Sequence, residues 1–405
     1  MYFIKNNLDD VIKIDNCDNY DFLIKDSTEI SNLFSIKNNS YVVACDDFKL
    51  SNDIYYLLKF LSCFKDYRKL LTTAMEDYNK SISTEDNDYV RELVEHFKDL
   101  NSDGKFIRGF LILLGYKLIS NDDISRAIPL ALAFEIFQTS VLIHDDIIDN
   151  AFVRRGKKTI PVRYMEKYDD ANHLGDSLAI CMGDLGFYKS YELMIENYCG
   201  NKRLLKYYND VIINTIQGEI IDVILPHLQK TKSYNKKCLE SDVYDIYRLK
   251  TAWYSIIGPL CMGLILGNAL DDKISLMTDF SYNLGIAFQI KDDILGIFSE
   301  RVNKEKTSSD ISEFKQTILY SYIYENCPDY LEQLHKYYGK SNLSDADIYD
   351  CRRIFMESGS VDYANGIVTK LFEEANLKLD SIDFVDNNYK DILRGFIIYL
   401  ENREH

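Results

Sequence analysis

The chain has 405 residues, with 47 Lys and Arg against 64 Asp and Glu, a formal net charge of −17, and 46% of it is hydrophobic. These proportions exclude a disordered, collagenous or coiled-coil chain, and the acid surplus argues against a nucleic-acid or anionic-membrane surface. The 5 Pro and 18 Gly are too few for the many turns of an all-β fold and favour long helices. Nine cysteines without a CxxC pair, behind a start that is no signal peptide, read as a reduced, cytoplasmic protein.

Residues 1–50 stand apart. Short apolar runs (YDFLI, SYVVAC) among Asn, Asp and Ser read as short strands or as an irregular arm. From Asp53 the pattern turns helical, with Ile54, Leu57, Leu58, Leu61 and Phe64 on one face. The spacing predicts a second helix over 88–100, with Val90, Leu93, Val94 and Phe97 aligned, and a third from Lys105 to about residue 120. Long apolar helices are expected over 127–148, 177–196, 204–228, 242–270 and 273–298. From 309 to 403 helical patterns alternate with turns at Cys327-Pro328 and Ser358-Gly359-Ser360. The uncharged run 251–270 is long enough to span a bilayer. Gly258-Pro259 interrupts it, Lys250 and Asp271-Asp272 bound it, and no comparable span stands out, so it is expected as a buried helix rather than a transmembrane segment. With no repeat and no linker, the expectation is one all-α domain over 51–405 behind an N-terminal extension over 1–50.

Two of these helices end in acids. HDDIID (144–149) closes the apolar run 127–148, and Asp145 and Asp149, four apart, share a helical face, with Asp146 turned away from them. FQIKDDILGIF (288–298) closes another apolar run with Asp292 and Asp293, and Gln289 shares the face of Asp292. Like charges at this spacing repel, so their persistence on apolar helices suggests a bound cation; carboxylates without thiols or imidazoles suit Mg²⁺, which favours a few carboxylates together with substrate phosphates. Cations are placed to match: Lys105 and Arg108, Arg154 and Arg155 before Gly156, Lys250 before Thr251, and Lys306 and Lys315. Mg²⁺, Arg and Lys on apolar walls suit a diphosphate with a hydrocarbon tail.

In order along the chain, GKFIRG (104–109), DDIIDNAFVRRG (145–156), GDSLAICMGD (175–184), GEIID (218–222), LKT (249–251) and FQIKDD (288–293) resemble the motifs of the trans-isoprenyl diphosphate synthases, the farnesyl and geranylgeranyl diphosphate synthase family. The resemblance implies an isoprenoid synthase-type bundle of antiparallel helices around a central cavity, a homodimer, and condensation of isopentenyl diphosphate with an allylic diphosphate (dimethylallyl, geranyl or farnesyl). It implies three Mg²⁺ ions on Asp145, Asp149 and Asp292, supported by Asp146 and Asp293. Arg154, Lys250 and Lys306 would hold the allylic diphosphate; Lys105, Arg108, Gln138 and Arg155 would hold isopentenyl diphosphate; Thr251 and Gln289 would sit near the developing cation. Lys315 follows the second acid motif as a further substrate-binding cation. Ionisation of the allylic carbon–oxygen bond loads charge onto the leaving diphosphate, which metal, Arg and Lys stabilise, and the cation requires that water be excluded. The chain departs from the pattern at Gly296, where many members carry a third Asp, and at Phe106, Glu219 and Ser308.

A chain growing along the helix of Asp145 would pass Val141 and Ser140 one turn down and Phe137 roughly 11 Å down, at 5.4 Å per turn. In the family an aromatic one turn below the motif stops growth at farnesyl length. Val141 and Ser140 are too small for that, and Phe137 stands one turn deeper, which favours geranylgeranyl diphosphate, with farnesyl or longer polyprenyl diphosphates as alternatives. A terpene cyclase would need neither Lys105, Arg108 nor Arg155, and its NDxxSxxxE-type motif is missing; a non-catalytic regulatory subunit would be expected to have lost the acid motifs.

Overall fold

The computed structural model describes residues 2–5, 11–13, 40–43, 52–84, 86–169, 173–236, 239–298, 309–340 and 342–402. Three short strands, β1 (Tyr2–Lys5), β2 (Val11–Lys13) and β3 (Ser40–Val43), form an antiparallel sheet in the order β2-β1-β3. The SYVVAC run thus supplies a strand, whereas YDFLI lies outside the described residues.

Helices follow without interruption by any larger sheet. α1 (Asn52–Ser81) and α2 (Asp88–Ser102) match the sequence pattern, and Asn87 starts α2 by accepting from the free Tyr89 and Val90 amides. α3 (Ile107–Ile119), α4 (Ile128–Ile148), α6 (Leu174–Tyr198), α7 (Lys202–Lys230) and α10 (Asp271–Phe298) are the expected long apolar helices. Between α4 and α6 lies a unit the periodicity does not reveal: a two-stranded hairpin, β4 (Val153–Arg154) and β5 (Lys157–Lys158), and α5 (Ile160–Lys167). Arg155 and Gly156 make its turn with φ of 54° and 77°, the left-handed pair of a two-residue hairpin loop, which explains a Gly after two Arg.

The segment expected as one helix over 242–270 is three: α8 (Glu240–Ile246), a π-helical stretch (Tyr247–Ile257) and α9 (Gly258–Leu266). The Gly258 amide bonds Trp253 O, five residues back, and Pro259 has no amide to continue an α-helical ladder. The wider turn carries Lys250 and Thr251. The remainder comprises α11 (Ser309–Ser312), α12 (Ile318–Asn326), α13 (Pro328–Leu334), α14 (Asp345–Glu357), α15 (Ser360–Asp380) and α16 (Asn387–Glu401).

α3 and α9 form a close-packed spine. A Cβ on Gly263 would lie 2.2 Å from Ile112 O, and one on Gly115 would lie 2.3 Å from Leu260 O, so the pair can cross at this distance because neither position carries a side chain. One core spreads from the spine towards α1, α10 and the C-terminal helices, the other towards α4, α6 and α7. The uncharged segment falls inside: 89% of the most apolar window of Glu240–Leu266 is buried. It is not alone, contrary to expectation. Ile124–Ile148 and Lys202–Lys230 are also long and apolar enough to cross a membrane, and the window of the second is only 22% buried.

Candidate active site

The C-terminal turn of α4 delivers the first acids, and Asp149 is its cap. Asp146 is buried and accepts from Arg154 Nε at 2.5 Å, so the hairpin is clamped to the helix by this ion pair. Burial raises the Asp145 carboxyl above its usual range; nearby Lys250, Arg154 and Lys315 oppose the shift, and the like charge of Asp149 adds to it.

Lys250 and Lys315 occupy the centre of the acid groups. Lys250 Nζ stands 2.7 Å from Glu219 and 2.6 Å from Asp222 of α7. It can do so because Gly218 leaves room: a Cβ there would be 2.3 Å from the Lys250 amide nitrogen. Lys315 Nζ lies 3.2 Å from Asp149, 3.4 Å from Glu313 and 3.7 Å from Asp222. Burial works to lower both lysines, yet the surrounding carboxylates raise them above the ordinary value. For Asp222 burial pushes upward and the two lysines win, leaving it below its ordinary value. Burial lifts Glu313 to about 7.

Thr251 connects this group to the second acid pair. Its hydroxyl donates to Gln289 Oε1 at 2.6 Å, and Gln289 Nε2 donates to Asp293 Oδ1 at 2.8 Å. Asp293 is buried and also accepts from the Tyr247 hydroxyl. Burial raises its carboxyl well above the usual range against those hydrogen bonds. Asp292, next to it, is half-buried. Lys306 and Ser308 lie outside the described residues.

A second group lies about two turns further back along α4, around Gln138. Arg108 donates to Gln138 Oε1 at 2.6 Å and to Ser255 Oγ at 2.8 Å, with its guanidinium 4.0 Å from the Tyr254 ring centre. Arg155 donates to Asp103 O at 2.8 Å, and Lys105 is exposed at the same end of α3. Gln138, Arg154 and Arg155 line one cavity together with Glu135 and Gly104. Glu135 is buried and accepts from the Gly109 amide at 2.7 Å.

About one to three turns before the acids, α4 packs into an aromatic cluster. Phe137 is fully buried, its ring 5.5 Å from Phe134, 5.6 Å from Phe187 and 5.8 Å from Tyr254. Val141 is half-buried in the same cluster. Ser140 points at α6 instead: its Oγ bonds Ile136 O at 3.0 Å and lies where a Cβ on Gly186 would be.

Reading the sequence missed several of these partners. Glu135 was visible as the lone acid inside an apolar run. Glu219 and Asp222 were visible as part of GEIID, without a sign that they hold lysines. Tyr247, Tyr254 and Ser255 carried no signal, because their approach depends on the π-helical turn. Among the described residues no three His, Cys, Asp or Glu side chains stand close enough to hold a metal ion by themselves. The donor set still fits Mg²⁺: hard carboxylates separated by lysines that a diphosphate can bridge.

A sequence model described as polyprenyl synthetase matches residues 88–355. The chain is 30% identical over 294 residues to the geranylgeranyl diphosphate synthase of Sulfolobus acidocaldarius, covering 71% of this chain and 82% of that one. It is 27% identical over 312 residues to the geranylfarnesyl diphosphate synthase of Aeropyrum pernix, covering 75% and 92%. Among solved structures, a geranylgeranyl pyrophosphate synthetase from Pyrococcus horikoshii superposes with a TM-score of 0.71 at 24% identity, covering 86% of this chain and all of that one. So does a geranylgeranyl pyrophosphate synthase from Corynebacterium glutamicum complexed with isoprenyl diphosphate and magnesium, with a TM-score of 0.71 at 22% identity, covering 86% and 99%.

Proposed function

The chain belongs to the polyprenyl synthetase family, and from that premise we propose how its residues divide the work of a trans-isoprenyl diphosphate synthase. The enzyme joins isopentenyl diphosphate to an allylic diphosphate, and geranylgeranyl diphosphate is the product this reading favours. Mg²⁺, three ions in this reading, would be held by Asp145, Asp149 and Asp292 with Asp146 and Asp293 in support, and supplies Lewis acidity towards the leaving diphosphate. Lys250, Lys306 and Arg154 bind the allylic diphosphate and stabilise charge as it develops there; Lys315, beside Asp149, adds to that field. Arg108, Gln138, Arg155 and Lys105 bind isopentenyl diphosphate. Thr251 and Gln289 present oxygen dipoles to the allylic cation. The aromatic wall around Phe137 excludes water.

The observation that carries this reading is the π-helical turn, which sets Lys250 among acids of α7 and Thr251 against α10. The deciding assay is purified protein with Mg²⁺, farnesyl diphosphate and labelled isopentenyl diphosphate. Geranylgeranyl diphosphate is the expected product. A hydrocarbon formed without isopentenyl diphosphate would mark a cyclase, and turnover only with a partner would mark a regulatory subunit.

The reading extends to assembly. α6 and α7 share an exposed apolar face with Tyr188 at 78% and Ile220 at 60% exposure, alongside Ile195, Ile216 and Val223. A face of this kind suits a second copy of the chain, so the protein is a homodimer in this reading. The described cysteines are all free, which suits the cytoplasm. Residues 1–50 are an appendage to the catalytic domain 51–405; deleting them leaves turnover in place if that division is right.

A further inference from the structure

Phe314 joins α11 to Lys315 in a conformation that its own side chain opposes. Its φ is 63°, in the left-handed region where a Cβ crowds the following carbonyl. Single residues found there are ordinarily Gly or Asn, and a bulky one is an outlier. The turn is nonetheless well formed. The Lys315 amide bonds Asp310 O at 3.1 Å, and the Phe314 amide reaches back to Ile311 O at 3.4 Å, the paired bonds that close a helix through a left-handed residue. The carbonyls are held as well: Gln316 Nε2 donates to Phe314 O at 2.7 Å, and the Tyr338 hydroxyl donates to Lys315 O at 2.7 Å.

A helix as short as α11 makes too few bonds to impose that turn by itself. The ring supplies the rest. Phe314 is 5% exposed, and its ring centre lies 5.3 Å from that of Tyr320, 5.4 Å from Tyr338 and 6.0 Å from His335. A Cβ on Gly339 would stand 3.0 Å from Phe314 Cδ2, so the far side of the ring is filled by backbone. The flanking side chains, Glu313 and Lys315, meet each other at 3.4 Å, and Lys315 Nζ reaches Asp149 at 3.2 Å and Asp222 at 3.7 Å. Strained residues persist where their surroundings over-determine them, and they gather at functional sites. A second phenylalanine repeats the pattern: Phe106, buried and with φ of 58°, directly follows Lys105.

We propose that Phe314 is a positioning residue for the diphosphate site: burial of its ring holds the backbone left-handed, and that turn delivers Lys315 to the gap between Asp149 and Asp222. The ring acts through Lys315 and has no need to touch substrate. This rests on the synthase reading above, in which Lys315 is a diphosphate-binding cation.

The test titrates wild type, Phe314→Ala and Phe314→Gly with inorganic pyrophosphate in Mg²⁺, with melting curves for each. Both variants lose the ring, and only Gly takes up the turn freely, so both are expected to melt below wild type. Phe314→Ala is expected to bind about tenfold more weakly, and Phe314→Gly to recover most of that loss. A ring that only fills the core predicts equal binding or the reverse order, because Gly fills less; either result overturns the proposal. Lys315→Ala should cost less affinity in the Phe314→Ala background than in wild type, and equal costs overturn Lys315 as the residue being positioned. Should the Phe314 variants fail to fold, Tyr338→Phe keeps the ring cluster and loses only the bond to Lys315 O. It is expected to bind about fivefold more weakly, and unchanged affinity overturns the proposal. A wild type that binds pyrophosphate with Mg²⁺ yet extends no farnesyl diphosphate overturns the synthase reading, while the order of the variants still decides this one. A wild type that binds no pyrophosphate overturns both.

Discussion

The Thr251 hydroxyl donates to Gln289 Oε1 at 2.6 Å and so decides which end of that amide turns to Asp293. Removing the hydroxyl frees the amide to rotate, and the positions of both oxygens over the proposed cation site are lost. Thr251→Val should lower kcat about tenfold, roughly 1.4 kcal/mol in the barrier, with little change in KM for isopentenyl diphosphate. Thr251→Ser, which keeps the donor, should retain most activity. Equal kcat for Val and wild type would remove this bond from the mechanism.

Metal chelation should stop turnover without melting the fold. Among the described residues no three candidate ligands already stand together, and the acids are tied to Lys250 and Lys315 by the native packing itself. The melting temperature in EDTA should equal that of the untreated protein. Mg²⁺ with pyrophosphate should stabilise the fold by mass action, about 2.7 kcal/mol at a hundredfold excess over Kd, and so raise the melting temperature, whereas pyrophosphate alone should raise it less.

Glu135 gives a pH signature. Burial holds its carboxyl above the usual range, with the Gly109 amide and the charges of Arg108 and Arg155 opposing. The folded chain therefore binds this proton more tightly than the unfolded chain. Its contribution is fully present below the unfolded carboxylate range, near about pH 4.3, and is lost as pH rises towards the folded value. Gln keeps the acceptor for Gly109 and removes the charge. Glu135→Gln should melt above wild type near neutral pH, with the gap closing on acidification; a gap independent of pH contradicts the assignment.

Product length tests the wall. Phe137→Ala should lengthen the product, at a cost of about 3–5 kcal/mol in stability for a fully buried aromatic. Ser140→Phe should shorten it, but Ser140 lies against Gly186, so this ring must also displace α6. Val141→Phe is the cleaner shortening variant, because Val141 is half-buried in the same aromatic cluster. Unchanged ladders from both Phe137→Ala and Ser140→Phe would rule out this face of α4 as the determinant.

The apolar face of α6 and α7 predicts the assembly. Ile220→Glu with Val223→Glu should convert a dimer to a monomer in sedimentation. Both side chains are exposed, so the isolated fold should survive the change. A dimer of unaltered mass would place the interface elsewhere.

The long helices were legible because apolar spacing repeats over many turns, as in α4 and α10, and the acids at their ends were legible as charges that an apolar run has no structural use for. The hairpin over 153–158 was not, because two-residue strands leave no periodicity; its sign was the Arg-Gly pair, whose positive φ values no hydropathy pattern encodes. The π-helical stretch was read as ordinary helix, since its composition differs from an α-helix's nowhere except at Gly258-Pro259. The cations were legible as a set, but their partners were not. That Lys250 meets Glu219 and Asp222 depends on α7 crossing the π turn at Gly218, a contact between segments about thirty residues apart. Lys306 falls outside the described residues, so its expected role rests on the motif alone.

The pairing of Lys250 and Lys315 with carboxylates has a consequence for selectivity. Neither ammonium group waits bare for a ligand, so binding is counter-ion exchange. An anion that captures the lysines leaves Asp222, Glu219 and Asp149 as unpaired, partly buried negative charges, which is unfavourable. A ligand that arrives with divalent cations compensates both partners at once. On the proposed reading the site would weigh charges of both signs together, and an inorganic anion alone would bind more weakly than the same anion with a divalent cation. A chain carrying −17 can in this way take up a polyanion without first becoming basic.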